Sequence, residues 1–126
     1  MRAIDTNVLV RLLVRDDLDQ TASAEAFIRG GAWASILALA EATWVLVKVY
    51  EFGAKDLATS IEMLLDHHDV VLQDPEAVTD ALELFRSKPA LGFSDCLMLH
   101  LARRAGHVPL GTFDRNLGRA AGAQKL

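Results

Sequence analysis

The sequence predicts an α/β fold, a three-layer α/β/α sandwich around a mostly parallel sheet of four to five strands. Three observations lead there. Short apolar runs alternate along the chain with longer segments of helical period, the pattern that builds parallel sheets. The 126 residues are 52% hydrophobic and 24% charged, enough apolar material for a core and unlike a disordered chain. The length suits one domain over residues 1–126, and no internal repeat or low-complexity linker interrupts it.

Arg2–Ile4 reads as the first strand, ending at Asp5-Thr6-Asn7, and Val8–Val14 as a short helix. Asp16-Asp17-Leu18-Asp19 is a polar break that caps a helix over about Gln20–Arg29, which Gly30-Gly31 stops. Ala32–Ser35 is a second strand, and Ile36–Tyr50 a long helix ended near Gly53. Lys55–Asp66 is an amphipathic helix, and Val70–Leu72 a third strand. Asp74-Pro75-Glu76 combines a cap, a first-turn proline and an acid at the positive helix end, and opens a helix to about Arg86. Lys88–Phe93 reads as a loop. Ser94-Asp95 opens a helix to Arg104, with Gly106 as its stop. Val108–Thr112 is a fourth strand, and Ala123–Leu126 a weak fifth.

Composition narrows the function classes. One cysteine excludes a disulfide framework, and no Cys/His cluster has zinc-site spacing. Thirteen basic against 17 acidic residues leave a net charge of −4, so a bulk-basic nucleic-acid binder is excluded. Any nucleic acid must be met by local cations. No targeting signal opens the chain. The longest apolar stretch, residues 32–47, is too short to span a bilayer and contains Glu41. The expectation is a cytoplasmic protein with no membrane partner.

Four acids stand in informative places. Glu41 lies among Ile36–Ala40 and Ala42–Val47, on a helix with no polar face apparent, which predicts a desolvated carboxylate. An arginine partner is the bland solution. Asp5 and Asp114 each follow a strand, where the ligand crevice of an open parallel sheet forms, although each also suits a cap or turn. Asp95 sits in the first turn of an apolar helix, where capping alone would explain it. Converging carboxylates repel one another unless a cation is present, and Mg²⁺ or Mn²⁺ answers that need with oxygen ligands. Such a site suits phosphate chemistry.

In this order, Asp5-Thr6-Asn7-Val8-Leu9-Val10, Glu41 before Thr43-Trp44-Val45-Leu46, Phe93-Ser94-Asp95-Cys96-Leu97, and Thr112-Phe113-Asp114 resemble the motif series of PIN-domain nucleases. The length, the element order and Asp74-Pro75-Glu76-Ala77-Val78 resemble the compact bacterial VapC-type toxins. The resemblance covers essentially the whole chain. It implies a Mg²⁺- or Mn²⁺-dependent endoribonuclease with Asp5 and Asp95 as the most direct metal ligands. Glu41 and Asp114 complete the set. The family often carries a further acid just after the last one, and here Asn116 stands nearest that position. Thr6, Asn7, Ser94 and Thr112 would donate hydrogen bonds to the ligands or touch the scissile phosphate. The implied reaction is attack of water on phosphorus, leaving a 5′-phosphate and a 3′-hydroxyl. The implied partners are single-stranded or structured RNA, a cognate antitoxin protein and a second copy of the chain in a homodimer. Arg11, Arg15 and Arg115 are the candidate contacts to the RNA backbone, with a solvated surface charge as the alternative for each.

The remaining polar and aromatic residues have ordinary readings. His67-His68 fits a solvated turn, since adjacent residues do not share a helix face. His100 and His107 fit surface or local bonding, Cys96 fits the core, and Arg103-Arg104 complements a helix end. Trp33 and Trp44 read as core or subunit contact, with base stacking as the minor alternative. Asp16, Asp17 and Asp19 suggest a calcium loop, but Ala22 stands where that loop needs glycine. Two rival functions remain: a phosphohydrolase of other substrate, and a non-catalytic RNA- or protein-binding module on the same fold.

Overall fold

The computed structural model describes residues 1–126. Its class is the one expected, α/β with parallel strands and flanking helices. The strands are β1 (Arg2–Ile4), β2 (Ala32–Ala34), β3 (Val70–Leu72), β4 (Leu110–Thr112) and β5 (Ala123–Lys125). The helices are α1 (Thr6–Val14), α2 (Leu18–Ile28), α3 (Ile36–Lys48), α4 (Ala54–Asp66), α5 (Pro75–Ser87) and α6 (Phe93–Ala105). The hydrogen bonds group the strands as β1-β2-β3 and β4-β5, every pair parallel. The chain divides into two compact units, Met1–Pro75 and Glu76–Leu126.

In the first unit, local chemistry sets each helix start. The side chains of Asp5, Asp17 and Ser35 accept from the amides of Val8, Gln20 and Ala38, closing the first turns of α1, α2 and α3. Because Asp5 and Asp17 are themselves the caps, α1 and α2 begin two residues earlier than the apolar pattern alone suggests. The register Ile4↔Ala34↔Leu72 puts one row of buried residues across the sheet, with Ala32 and Val70 in the same layer. The neighbouring row, Ala3↔Trp33↔Val71, points to the other side and is exposed. Leu9 and Val10 of α1, Leu39 and Leu46 of α3, and Ile61 and Leu64 of α4 are almost completely buried. Helix α1 packs chiefly on α3, then on α2, and α4 packs on β3.

In the second unit, Val78, Cys96, Leu97 and Leu99 are the largest of the almost completely buried side chains, and Phe85 meets Phe93 edge-to-face at 6.0 Å. The expected loop over Lys88–Phe93 contains a 3₁₀ turn at Pro89–Leu91, and Phe93 already belongs to α6. Gly92, at φ 79°, makes that corner in a conformation other side chains rarely adopt. β4 begins at Leu110 rather than Val108, consistent with the missing amide hydrogen of Pro109. A 3₁₀ turn at Leu117–Arg119, unmarked in the sequence pattern, packs on β4 and β5. No helix is long and apolar enough to cross a membrane.

Candidate functional site

The first unit carries Asp5 and Glu41. Asp5 stands between the end of β1 and the start of α1, and its Oδ1 accepts from the Val8 amide at 3.1 Å. It is both a cap and an exposed acid, so the two readings of this residue are compatible. Beside it a cleft of about 410 Å³ opens between α1 and α2, lined also by Asn7, Val8, Arg11, Gln20, Ser23, Ala24 and Phe27. Thr6, the first residue of α1, donates its hydroxyl to Glu41 Oε2 at 2.8 Å. That bond ties the acid of α3 to the residue next to Asp5.

Glu41 is exposed, which corrects the expectation of a desolvated carboxylate. The reason lies in which face of α3 is covered. Ala38, Leu39, Ala42, Thr43 and Leu46 form the buried face. The opposite face stays open although it is apolar: Leu37 is 68% exposed and Trp44 60%. Trp44 is therefore not a core residue of this chain. The arginine partner that a buried Glu41 would have needed is not required, and a threonine hydroxyl serves instead.

The second unit carries Asp95 and Asp114. The N-cap of α6 is Gly92, and Asp95 is the acid of its first turn, where the helix dipole favours it without a side-chain capping bond. Asp95 is half-buried, and its carboxyl is pushed above the usual carboxylate range, first by desolvation and then by the negative charge of Asp114. Asp114 Oδ1 accepts from the Leu117 amide at 2.8 Å, and the Asp114 amide donates to Thr112 Oγ1 at 3.0 Å. Turn formation and a charge facing Asp95 thus coexist in one residue. Phe113, next to Asp114, is 81% exposed. Ser94, Arg115 and Asn116 are exposed, and Asn116 makes no side-chain cap bond at the turn it precedes.

Two of the three candidate RNA-contacting arginines are engaged within the chain. Arg11 pairs with Asp16 at 2.5 Å and donates to the Tyr50 hydroxyl at 3.3 Å, and that hydroxyl lies 3.3 Å from Asp16 Oδ2. The Arg11 Nε is buried without a partner. Tyr50 raises the guanidinium's affinity for its proton, with Asp16 adding to the effect. Arg15 pairs with Glu25. Tyr50 carried no signal in the sequence; a lone tyrosine after a helix gives no hint of the residues it will join. His67 and His68 lie at the turn before β3, where the Asp69 amide donates to His67 Nδ1 and His68 lies against Asp69. Asp17 caps α2 and Asp16 holds Arg11, which leaves no calcium loop to explain. Cys96 is buried, and burial followed by the charge of Asp95 pushes its thiol up to about 11, so it is neutral and unreactive near pH 7.

The donor set suits a hard divalent cation. It consists of carboxylate oxygens with hydroxyls beside them, and the Asp95–Asp114 repulsion is of the kind that a cation relieves. No group of three or more His, Cys, Asp or Glu side chains stands close enough together to hold a metal ion by itself. In comparisons with known proteins, the model of one family, the PIN domain, matches residues 3–123. The match spans both units and includes all four acids. Neither the search of curated proteins nor that of solved structures gave a match.

Proposed function

The chain belongs to the PIN-domain family, generally one of metal-dependent nucleases, and we propose that it is a Mg²⁺- or Mn²⁺-dependent endoribonuclease of single-stranded RNA. We further propose that it is the toxin of a VapC-type toxin–antitoxin pair, acting in the cytoplasm as a homodimer. The observation that carries the nuclease reading is the match of the PIN-domain model to residues 3–123, and with it goes a half-buried Asp95 carboxyl beside the charge of Asp114. Such an arrangement costs stability in the absence of a cation and favours binding one.

In this reading Asp5, Glu41, Asp95 and Asp114 are the metal-ligating acids. A divalent ion bound there supplies positive charge that acidifies water and offsets the charge growing on the phosphate. The chain's own groups do the positioning. The Val8 amide fixes the Asp5 carboxylate, and the Leu117 amide fixes that of Asp114. The Thr6 hydroxyl orients Glu41, whose exposed carboxylate accepts the proton of the attacking water. Asn7, Ser94, Thr112 and Asn116 supply polar groups around the phosphate. Arg115, exposed and adjacent to Asp114, meets the RNA backbone. This mechanism requires no histidine as a base. His100 is held below its usual range by burial and then by Arg103, against the pull of Asp80 and Glu83.

Purified protein incubated with single-stranded RNA, an RNA duplex and a phosphate monoester tests the proposal. Cleavage of the single strand with Mg²⁺, leaving 5′-phosphate ends and stopped by EDTA or by Asp114→Asn, supports it. Undiminished cutting in EDTA, or turnover of the monoester alone, overturns it. The toxin role predicts that expression halts growth for the wild type and not for Asp114→Asn. Continued growth with active wild-type protein removes that part.

A further inference from the structure

On α3, Leu37, Glu41, Trp44 and Lys48 recur at steps of four, three and four residues. At 3.6 residues per turn these positions fall within about 60° of arc and extend over about 16 Å. All four are exposed. The stripe therefore presents, in order toward the C-terminus, an apolar side chain, a carboxylate, an indole and an ammonium. Helical side chains lean toward the N-terminus, so the indole of Trp44 is directed over the turn that carries Glu41. The Thr6 hydrogen bond holds Glu41 on this face.

An uncovered indole on a solvated helix needs an explanation, because burial of the ring is strongly favourable. The hydrophobic core does not claim it. The rest of the stripe decides between a protein and a nucleic-acid occupant. The cores of protein–protein interfaces are depleted in Lys and Glu, and both residues flank Trp44 here, one helical turn away on either side. Sites for single-stranded nucleic acid combine what the stripe offers, an aromatic platform for a base and a cation for its backbone.

We infer that Trp44 and Lys48 form a nucleotide subsite beside Glu41, in which an unpaired base of the RNA stacks on the Trp44 indole while its phosphate meets the Lys48 ammonium. The inference rests on the nuclease reading, in which Glu41 belongs to the site where the chain is cut. It gives that reading a physical basis for substrate choice. A base in a duplex is stacked on its neighbours and offers no face to the indole, so the subsite selects single strands. Stacking accepts every base, with the largest ring favoured, so the preference is for purines rather than for one sequence.

The test is RNA binding in the Asp5→Asn background, which the nuclease reading predicts to bind without cutting. The probes are a single-stranded oligoadenylate and an RNA duplex, followed by anisotropy. Trp44→Ala is expected to weaken oligoadenylate binding about tenfold, with Trp44→Phe retaining most of the affinity. Lys48→Gln is expected to lower the slope of log affinity against log salt by about one ion. With Trp33→Phe added, so that Trp44 is the sole indole, oligoadenylate quenches the fluorescence and the duplex does not. Unchanged affinity in folded Trp44→Ala, with unquenched fluorescence at saturating RNA, overturns the subsite and leaves the nuclease reading standing. Loss of the dimer in Trp44→Ala with RNA affinity intact also overturns it, and makes the stripe a protein interface. Absence of RNA binding in the parent protein overturns both.

Discussion

The two units treat their acids differently. In the first, both carboxylates have hydrogen-bond donors: the Val8 amide on Asp5 and the Thr6 hydroxyl on Glu41. Both are exposed, and water completes their solvation. In the second, Asp95 is half-buried and faces the charge of Asp114, and its ionised form is disfavoured. The first pair is held in place by hydrogen bonds; in the second, the Leu117 amide holds Asp114 likewise, and Asp95 alone has its ionised form disfavoured.

The contrast predicts opposite consequences of neutralising an acid in each unit. The largest effect belongs to Asp95→Asn, which abolishes RNA cleavage while making the metal-free protein more stable at neutral pH. The sign follows from the raised carboxyl. As pH rises from the ordinary carboxyl range to Asp95's own, the native state holds more protons than the unfolded chain, so stability falls with pH. The amide removes that loss. Thermal melts in EDTA across pH 4 to 8, a range of about four units chosen to bracket carboxyl titration, read it directly. A variant less stable than wild type at every pH breaks the contrast.

Asp5 comes next, with two substitutions that separate its roles. Asp5→Asn abolishes cleavage with little change in stability, because asparagine caps a helix as well as aspartate does. Asp5→Ala loses cleavage and also about 1 kcal/mol of stability. Chemical denaturation beside an RNA assay checks both, and equal stability of the two variants removes the cap from the account. Thr6→Val is expected to lower cleavage by about ten- to a hundredfold through misorientation of Glu41, with the fold intact. Wild-type rates in that variant would make the Thr6–Glu41 bond incidental. The smallest effect is Tyr50→Phe, which removes the hydroxyl between Arg11 and Asp16. It costs about 1 kcal/mol of stability and leaves cleavage unchanged.

Much of this was legible in the amino-acid order because local chemistry sets it. Asp17 lies in the polar run that caps a helix, Pro75 opens α5, and the apolar triplet Val70–Leu72 is a strand in the sheet, whereas Ser35 reads as the end of a strand and is instead the cap of α3. The surroundings of Glu41 were not legible. Apolar residues all round a helix look alike whether neighbours cover both faces or one, and only the packing leaves Leu37 and Trp44 outside. The stripe that carries Glu41 and Lys48 between and beyond them was present in the spacing, hidden by the apolar residues around it. The coupling of Asp95 to Asp114 needed the tertiary structure, since the residues are far apart in sequence. Arg11 and Arg15 read as free cations, but whether a surface arginine meets a partner depends on which loop lies beside it. The 3₁₀ turns at Pro89–Leu91 and Leu117–Arg119 are too short to leave a periodic signal.

Calorimetric titration of Mn²⁺ into the metal-free protein and into Asp95→Asn at neutral pH tests most directly whether these acids serve a cation. The account predicts saturable binding to the wild type with a rise in melting temperature, and loss of both in the variant despite its greater stability without metal. Equal Mn²⁺ affinity in the two proteins, or none in either while RNA is still cut, would contradict it.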